Sequence, residues 1–176
     1  MRMILALTTM IGFVAASRAD VASGPKEGEK VAALKVYAVT GEPKDKDVDY
    51  TELRKDKATI YVFVSGANFD RPMFRFIKAL DEKAGEDALV VAVWLTADAD
   101  KSKEYLPKIS QNFKSAALTV FTGDASGPKD WGINADARLT AVIVHQGKVV
   151  KSFGYMSLNE ADAPPVIEEL KKAIKK

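Results

Sequence analysis

Apolar residues along this chain fall into short continuous runs separated by segments with helical spacing. Residues 59–64 are β-branched or aromatic almost throughout, which is typical of a central strand buried on both faces. Similar runs predict further strands, and the pair Gln146-Gly147 predicts the turn of a hairpin. The predicted strands are residues 31–39, 59–64, 89–95 and 117–121, and the hairpin arms are residues 140–144 and 149–153.

Two helices are predicted in the first half of the chain. Residues 49–57 fit a short helix that packs Tyr50 and Leu53, after a polar turn over residues 41–49. A longer helix follows Asp70, because Met73, Ile77, Leu80 and Ala84 recur at helical spacing before a terminating Gly85.

Two more helical regions are predicted in the second half. Asp98 or Asp100 can cap the first of them, and we expect Pro107 to divide it into two pieces near Leu106 because proline lacks a backbone donor. After a loop over residues 123–132 and the hairpin, the last helix begins at Asp162-Ala-Pro-Pro. Its predicted buried stripe is Val166, Leu170, Ala173 and Ile174.

Strands that alternate with helices, followed by a hairpin and a closing helix, predict an α/β domain. We expect a mixed central sheet flanked by helices on both faces, formed by residues 31–176. Residues 20–30 are rich in small, glycine, proline and charged residues, and we interpret them as a flexible leader.

The N-terminal 19 residues have the pattern of a signal peptide. Arg2 supplies a short positive region, residues 3–16 an apolar core, and Ser17-Arg18-Ala19 a cleavage site. A membrane anchor is the alternative, but the apolar run is shorter than the roughly 18 to 20 residues that a spanning helix needs. We therefore expect cleavage after Ala19 and export to the periplasm or the extracellular space.

Cleavage would change the charge balance of the protein. The whole chain has 26 basic and 24 acidic residues, and residues 1–19 contain Arg2, Arg18 and no acid, which leaves 24 of each and a net charge of 0. The remaining chain has no basic stripe interleaved with aromatic residues and no long apolar segment. We therefore expect neither a nucleic-acid partner nor a membrane span after cleavage.

The chain contains no cysteine, which limits its chemistry more than any residue that is present. Thiol–disulfide exchange requires a thiolate, so this chain alone cannot carry it out. A thiolate zinc site is excluded for the same reason.

Several short motifs follow one another in an order found in a known fold. They are residues 26–39, residues 59–64, the helix start Phe69-Asp-Arg-Pro-Met-Phe-Arg-Phe76, the step Trp131-Gly-Ile133, and residues 139–144 and 147–150. Their order resembles the thioredoxin-like fold, and more closely its redoxin branch, which includes thiol-specific antioxidant and TlpA-like proteins. In that family the helix start carries an aromatic-Cys-x-Pro-Cys site, of which Pro72 is retained here.

The departures from the family all affect its chemistry. Asp70 and Met73 stand where the resemblance places the two cysteines, and Leu139, before Thr140, stands where it places a cis-proline. Val64 stands where thioredoxins have a buried proton-transferring acid. The resemblance therefore implies the fold without its usual thiol activity.

We predict no catalytic residue, no metal ligand and no cofactor, and a binding face at the former active site. Ligands of open α/β sheets bind beyond the carboxyl ends of the strands. In thioredoxin-like proteins the substrate backbone lies against the cis-proline loop. The candidate face consists of Phe69, Asp70, Arg71, Pro72, Met73, Trp131, Leu139 and Thr140. The hypothesis is a non-catalytic scaffold or module that binds a protein segment or a small ligand there.

Two alternatives remain open at this stage. The protein could be a non-thiol enzyme that uses Asp70 as a general acid or base, or a structural component of an envelope assembly. Asp70 also fits a helix N-cap, and Met73 and Trp131 also fit core positions. Arg71 opposes the helix dipole and gains nothing locally, which leaves a solvated surface charge, a contact to a partner or a pairing with Asp70 as its interpretations, the first being favoured.

Two other candidates are interpreted as solvated turn residues. His145 is the only histidine, lies beside the Gln146-Gly147 turn, and has no nucleophile motif to serve. Asp45, Asp47 and Asp49 alternate like the start of a calcium loop, but the glycine and the final glutamate of such a loop are missing.

Overall fold

Seven strands form one mixed sheet in the computed structural model, which describes residues 20–175. The predicted signal peptide, residues 1–19, lies outside the described residues. The strands are β1 (Lys35–Ala38), β2 (Lys46–Asp49), β3 (Thr59–Ser65), β4 (Leu89–Leu95), β5 (Ala117–Phe121), β6 (Leu139–His145) and β7 (Lys148–Tyr155). The helices are α1 (Tyr50–Arg54), α2 (Arg71–Ala84), α3 (Ala99–Ser110) and α4 (Ala163–Ile174).

The strand order across the sheet is β2-β1-β5-β4-β3-β6-β7. Strand β3 pairs in parallel with β4 and antiparallel with β6, so that Val62 lies opposite Ala92 on one side and Ala141 on the other. Every residue of β3 except the last is buried. The sequence prediction of a central strand covered on both faces is therefore confirmed.

Alternation along β3 divides the core into two layers, because successive side chains of a strand point to opposite faces. Ile60, Val62 and Val64 face the layer that contains buried residues of α2, α3 and α4, with Leu106 as the fully buried residue of α3. Tyr61 and Phe63 face the other layer, which contains Tyr50 of α1 and Trp131. The α/β sheet with helices on both faces is thus as predicted.

Strand β2 was not predicted, because residues 41–49 looked like a polar turn. It pairs antiparallel with β1 over four residues, and it lies at the edge of the sheet. Charged residues are common on edge strands because they discourage pairing with other chains. The first predicted strand, residues 31–39, is too long, because β1 begins only at Lys35.

Two helix predictions need correction. Leu53 in α1 is 46% exposed, and only Tyr50 packs into the core. Helix α3 runs without a break through Pro107. Pro107 lies in the last turn, where it removes a single hydrogen bond, and the Ser110 hydroxyl donates to the Pro107 carbonyl at 2.8 Å. In α4, Val166 and Leu170 are buried as predicted, together with Ile167, whereas Ala173 and Ile174 are partly buried.

Residues 20–30, interpreted above as a flexible leader, lie instead along the sheet. Val21 bridges to Gly154 and Lys30 bridges to Lys148, both in β7. The Ser23 and Thr140 hydroxyls are hydrogen-bonded at 2.6 Å. A β-carbon at Gly154 would clash with the Val21 carbonyl, so this close approach requires glycine.

The predicted hairpin joins β6 and β7. Gln146 and Gly147 both have positive φ, 52° and 69°, which matches the type I′ turn favoured between two strands. Among residues 20–175, no helix is long and apolar enough to span a membrane.

A buried carboxylate ties α2 to the loop that precedes β5. Asp81 is only 3% exposed and accepts hydrogen bonds from the backbone N–H groups of Lys114 and Ser115 and from the Ser115 hydroxyl. Lys114 and Ser115 are exposed, so the buried group that needs partners is the carboxylate itself, and these loop donors satisfy it.

We expect Asp81→Ala to lower the free energy of unfolding by about 2 to 3 kcal/mol, because it removes the hydrogen bonds by which a charged carboxylate holds the loop. Glu82 is the neighbouring exposed acid, and Glu82→Ala is the control, expected to change the same quantity by less than about 0.5 kcal/mol. Urea denaturation measures both. Equal losses for the two variants would contradict the role assigned to Asp81.

Candidate functional site

A cleft of about 540 Å³ opens beyond the carboxyl ends of the two parallel strands β3 and β4. Its walls come from the loop after β3, the loop after β4, the first half of α3, and one residue after β5. The lining residues are Ser65, Gly66, Ala67, Phe69, Trp94, Leu95, Thr96, Ala97, Asp98, Lys101, Ser102, Tyr105 and Ala125. We call it the aromatic cleft.

Three aromatic rings form one side of the aromatic cleft. Phe69 lies against Trp94 with ring centroids 4.9 Å apart and against Tyr105 with centroids 6.4 Å apart, both in edge-to-face geometry. Trp94 is 2% exposed, whereas Tyr105 is 40% exposed. A β-carbon at Gly66 would lie 3.3 Å from Trp94 Cδ1, so glycine allows the two loops to meet at this point.

The charged groups of the aromatic cleft lie at its rim. Asp98 and Lys101 are both exposed, and the Asp98 carboxylate accepts the Lys101 backbone N–H at 3.0 Å as the cap of α3. The Thr96 hydroxyl accepts the Asp98 N–H at 3.1 Å. Ser102 is partly buried, and within residues 20–175 its hydroxyl has no hydrogen-bond partner.

Asp70 stands beside the aromatic cleft as the N-cap of α2, as the sequence predicted. One carboxylate oxygen accepts the Met73 N–H at 3.0 Å, and the other accepts Arg138 Nη2 at 2.8 Å. Burial raises the pKa of Asp70, but the Met73 hydrogen bond and then the hydrogen bond and charge of Arg138 outweigh it, and the pKa lies below its ordinary value.

Arg138 is the ion-pair partner of Asp70, and sequence reasoning did not identify it. It also donates to the Asn68 carbonyl at 2.8 Å, and so connects the loop before α2 to the start of β6. Of the interpretations left open for Arg71, a solvated surface charge is the one observed: Arg71 is exposed, and among the described residues it has no ion-pair partner. The only available signal was a basic residue immediately before Leu139, 68 residues from Asp70.

The candidate face does not form one surface. Phe69 and Asp70 are partly buried and Arg71 and Pro72 are exposed, all near the start of α2. The remaining members are buried, so they cannot present a surface to a partner: Met73, Trp131, Leu139 and Thr140.

Trp131 lies on the opposite face of the sheet from Phe69. Its ring packs against Tyr61 and Phe63, with centroids 5.1 and 4.9 Å away, and its Nε1 donates to the Ala33 carbonyl at 3.2 Å. A fully buried ring with a satisfied N–H is a core residue. Of the two interpretations that the sequence left open, core packing is the one observed.

The start of β6 is a regular paired strand rather than an open loop. Leu139 lies opposite Val64 and Tyr155, the Arg138 N–H donates to the Tyr155 carbonyl, and the Arg138 carbonyl accepts the Ser65 N–H. The Thr140 hydroxyl is bonded to Ser23. Both main-chain groups of Arg138 are therefore used within the domain and are not available to an extended substrate.

His145 and the alternating aspartates, interpreted above as solvated turn residues, belong mainly to strands. His145 is the last residue of β6, partly buried, with its Nδ1 buried and without a hydrogen-bond partner, so it is not the solvated turn residue that we expected. Asp47 and Asp49 belong to β2, and Asp49 caps α1. Within residues 20–175, no cluster of three His, Asp or Glu side chains is arranged to hold a metal ion.

The Asp70 carboxylate should make the stability of the protein depend on pH. Asparagine caps a helix about as well as aspartate, so Asp70→Asn removes mainly the interaction with Arg138 and should cost less than about 1 kcal/mol at pH 7. Asp70→Ala also removes the cap and should cost about 1 to 2 kcal/mol.

The sign of the pH effect follows from the lowered pKa. A carboxylate with a lowered folded-state pKa stabilises the protein above its unfolded-state pKa of about 3.9, and this contribution disappears as the pH falls through the lower folded value. Wild type should therefore lose its advantage over Asp70→Asn below about pH 4 in unfolding experiments. Asp100→Asn, at an exposed acid of α3, is the control. A difference between wild type and Asp70→Asn that stays constant with pH would contradict this account.

Comparisons with known proteins identify the fold alone. No protein-family model and no curated protein matches the chain. Among similar solved structures is the peroxidoxin BcpB from Mycobacterium tuberculosis, with 16% identity, a TM-score of 0.60, and coverage of 84% of this chain and 97% of that one. A DsbF homologue from Corynebacterium diphtheriae has 14% identity and a TM-score of 0.57, covering 83% and 87%.

The pneumococcal exposed lipoprotein thioredoxin from Streptococcus pneumoniae has 16% identity and a TM-score of 0.54, covering 78% of this chain and 99% of that one. The strand order and the position of α2 after the central strand agree with the fold of these structures. The chain has the thioredoxin-like α/β fold, and it contains no cysteine.

Proposed function

We propose that this protein is an exported, redox-inactive binding module of thioredoxin-like fold, and that its ligand occupies the aromatic cleft. The observation that carries the proposal is the cleft itself, with a volume of about 540 Å³ and three aromatic rings in its wall. Ligands of α/β sheets bind beyond the carboxyl ends of the strands, and ligand pockets of this size are mostly apolar with a few polar groups.

The chemistry of the neighbouring residues supports binding rather than catalysis. The chain has no thiol for exchange or peroxide reduction. Both oxygens of Asp70 are engaged by Met73 and Arg138. Its lowered pKa disfavours a general acid, which must carry a proton near neutral pH, and also makes the carboxylate a weaker general base. The alternative of an enzyme that uses Asp70 is therefore the less supported one.

The aromatic cleft fits a compact ligand better than an extended protein segment. A bound strand needs free main-chain donors and acceptors at a sheet edge. Strands β3 and β4, whose ends form the cleft, are both paired on each side. Neither strand therefore has an open edge that could pair with the backbone of a bound polypeptide.

Export is supported by the signal-peptide pattern of residues 1–19. One of the similar structures, the pneumococcal protein, is described as an exposed lipoprotein. The absence of cysteine means that the fold requires neither an oxidising nor a reducing compartment for its stability.

Native mass spectrometry tests the proposal. The full chain is expressed with its own N-terminus, incubated with a small-molecule extract of the producing cells, and examined for bound mass. We expect a bound species on wild type and its loss in Tyr105→Ala, since Tyr105 is the exposed ring of the aromatic cleft.

The chain offers a matched control for this experiment. Met156 is another exposed apolar side chain, 48% exposed and not among the residues that line the cleft, and Met156→Ala should bind like wild type. Because Tyr105 is 40% exposed, the variant should melt within a few degrees of wild type. Absence of bound mass on wild type, or equal binding by Tyr105→Ala, would reject the aromatic cleft as the binding site.

A further inference from the structure

We infer that the aromatic cleft selects a compact, uncharged aromatic molecule that carries one hydrogen-bonding group. This inference rests on the proposed function and adds the chemical class of the ligand. It follows from four properties of the cleft: its size, the geometry of its rings, the position of its charges, and the unpartnered hydroxyl of the partly buried Ser102.

The size of the cleft sets the scale of the ligand. Pockets for small molecules have volumes of roughly 300 to 1,000 Å³, and this one, at about 540 Å³, lies in the middle of that range. Only one of the three rings, Tyr105, is substantially exposed at the opening. A ligand with one or two fused rings would be of a size to lie against Phe69 and Tyr105.

The rings favour another ring over an aliphatic group. Phe69 already contacts Trp94 at an interplanar angle of 60° and Tyr105 at 71°, which are edge-to-face arrangements. Aromatic pairs in such geometry contribute stabilisation beyond the area they bury. A ligand ring placed in the cleft against the exposed Tyr105 would extend this series, whereas an aliphatic ring of equal size would gain only the burial.

The charges of the cleft argue against an ionic ligand. The only charged lining residues are one acid and one base, Asp98 and Lys101, and both are exposed at the rim. A charge brought into the apolar part of the cleft would lose its hydration without finding a buried counter-charge, which is costly. Neither an anion nor a cation is favoured by this arrangement.

Two hydroxyls of the lining have no partner within residues 20–175, that of the exposed Tyr105 and that of the partly buried Ser102. The hydroxyls of Ser65 and Thr96 are engaged with Asn68 and Asp98, respectively. The Ser102 hydroxyl, one turn before Tyr105 on α3, has no partner within residues 20–175. It can donate or accept a single hydrogen bond, which a hydroxyl or ring N–H on the ligand would satisfy.

A second cavity, of about 620 Å³, serves as an internal comparison. Its lining includes His145 and the charged residues Glu27, Glu169 and Lys172. Most residues of this lining are charged or polar, and it includes no Phe, Tyr or Trp ring among the described residues. Within it, Glu169 is paired with Lys172 at 2.8 Å. The proposed ligand should leave it unaffected.

The experiment is a set of NMR titrations of the ¹⁵N-labelled full chain. Benzyl alcohol, benzoate and benzylammonium present the same ring with no charge, a negative charge and a positive charge. Cyclohexylmethanol presents an aliphatic ring of similar size, and acetyl-Gly-Phe-Gly-amide presents an aromatic ring on a polypeptide. The amides of Gly66, Phe69, Ala97 and Ser102 report on the aromatic cleft.

We expect benzyl alcohol to give saturable shifts confined to the cleft amides. The two ions should bind at least about tenfold more weakly, because each would be desolvated without a counter-charge. Cyclohexylmethanol should bind about three- to tenfold more weakly, because it lacks the ring–ring interaction. The peptide should bind no more tightly than benzyl alcohol. Tighter binding of either ion, of cyclohexylmethanol or of the peptide would overturn the inference, as would shifts around His145.

Variants then assign the interaction to particular side chains. Tyr105→Phe keeps the ring and should bind like wild type, whereas Tyr105→Ala should weaken benzyl alcohol binding by about tenfold. Ser102→Ala should weaken benzyl alcohol by a few-fold and leave toluene binding unchanged, since only the alcohol can bond to the hydroxyl. Met156→Ala should have no effect. Equal binding by wild type and Tyr105→Ala would overturn the inference.

The two proposals fail in distinguishable ways. If the mass-spectrometric ligand is lost in Tyr105→Ala but benzyl alcohol does not bind, the ligand class is wrong and the binding module stands. If neither binds wild type, the aromatic cleft is not a ligand site and both proposals fail.

Discussion

The burial of β3 on both faces is the constraint on which the rest of the molecule depends. Because the strand is central, its odd and even residues must supply two separate cores, and the chain meets this demand with Ile60, Val62 and Val64 on one side and Tyr61 and Phe63 on the other. Both cores need helices or loops to cover them, which fixes α2 and α4 on one face and Trp131 on the other. The end of β3 then places Phe69 and Asp70 at the edge of the sheet where the aromatic cleft opens.

The corner where the resemblance predicts an active site is held together by hydrogen bonds between elements. Asp70 caps α2 and holds Arg138, and Arg138 in turn binds the Asn68 carbonyl and pairs its backbone with Tyr155 and Ser65. Met73, at the other predicted cysteine position, is fully buried under α2. This corner is closed by hydrogen bonds within the domain. The accessible volume lies to one side, between α3 and the loop after β3.

How far the sequence predicts this structure depends on the range of the interactions involved. The central strands, the cap at Asp70 and the I′ turn at Gln146-Gly147 follow from local pattern, and they are observed. Edge strand β2 was not predicted, because its charged residues resemble those of a turn. The predicted break at Pro107 was wrong, because the rule for proline takes no account of a position within the last helical turn. Arg138 could not be found because its partner is 68 residues away. The aromatic cleft was missed for a similar reason: Phe69 and Tyr105 lie on different elements, and no spacing rule connects them.

The path of residues 20–30 has a consequence for the order in which the domain is completed. Ser23 is 117 residues from its partner Thr140, and the segment also bonds to Gly154 and Gly132. Contacts of such separation close only after the intervening chain has been ordered, since loop entropy must be overcome first. The beginning of the domain is thus fastened by elements made near its end, and the segment that follows the predicted cleavage site has no binding place until the C-terminal hairpin exists. Docking of residues 20–30 therefore requires the hairpin, and it can begin only when almost the whole chain is present.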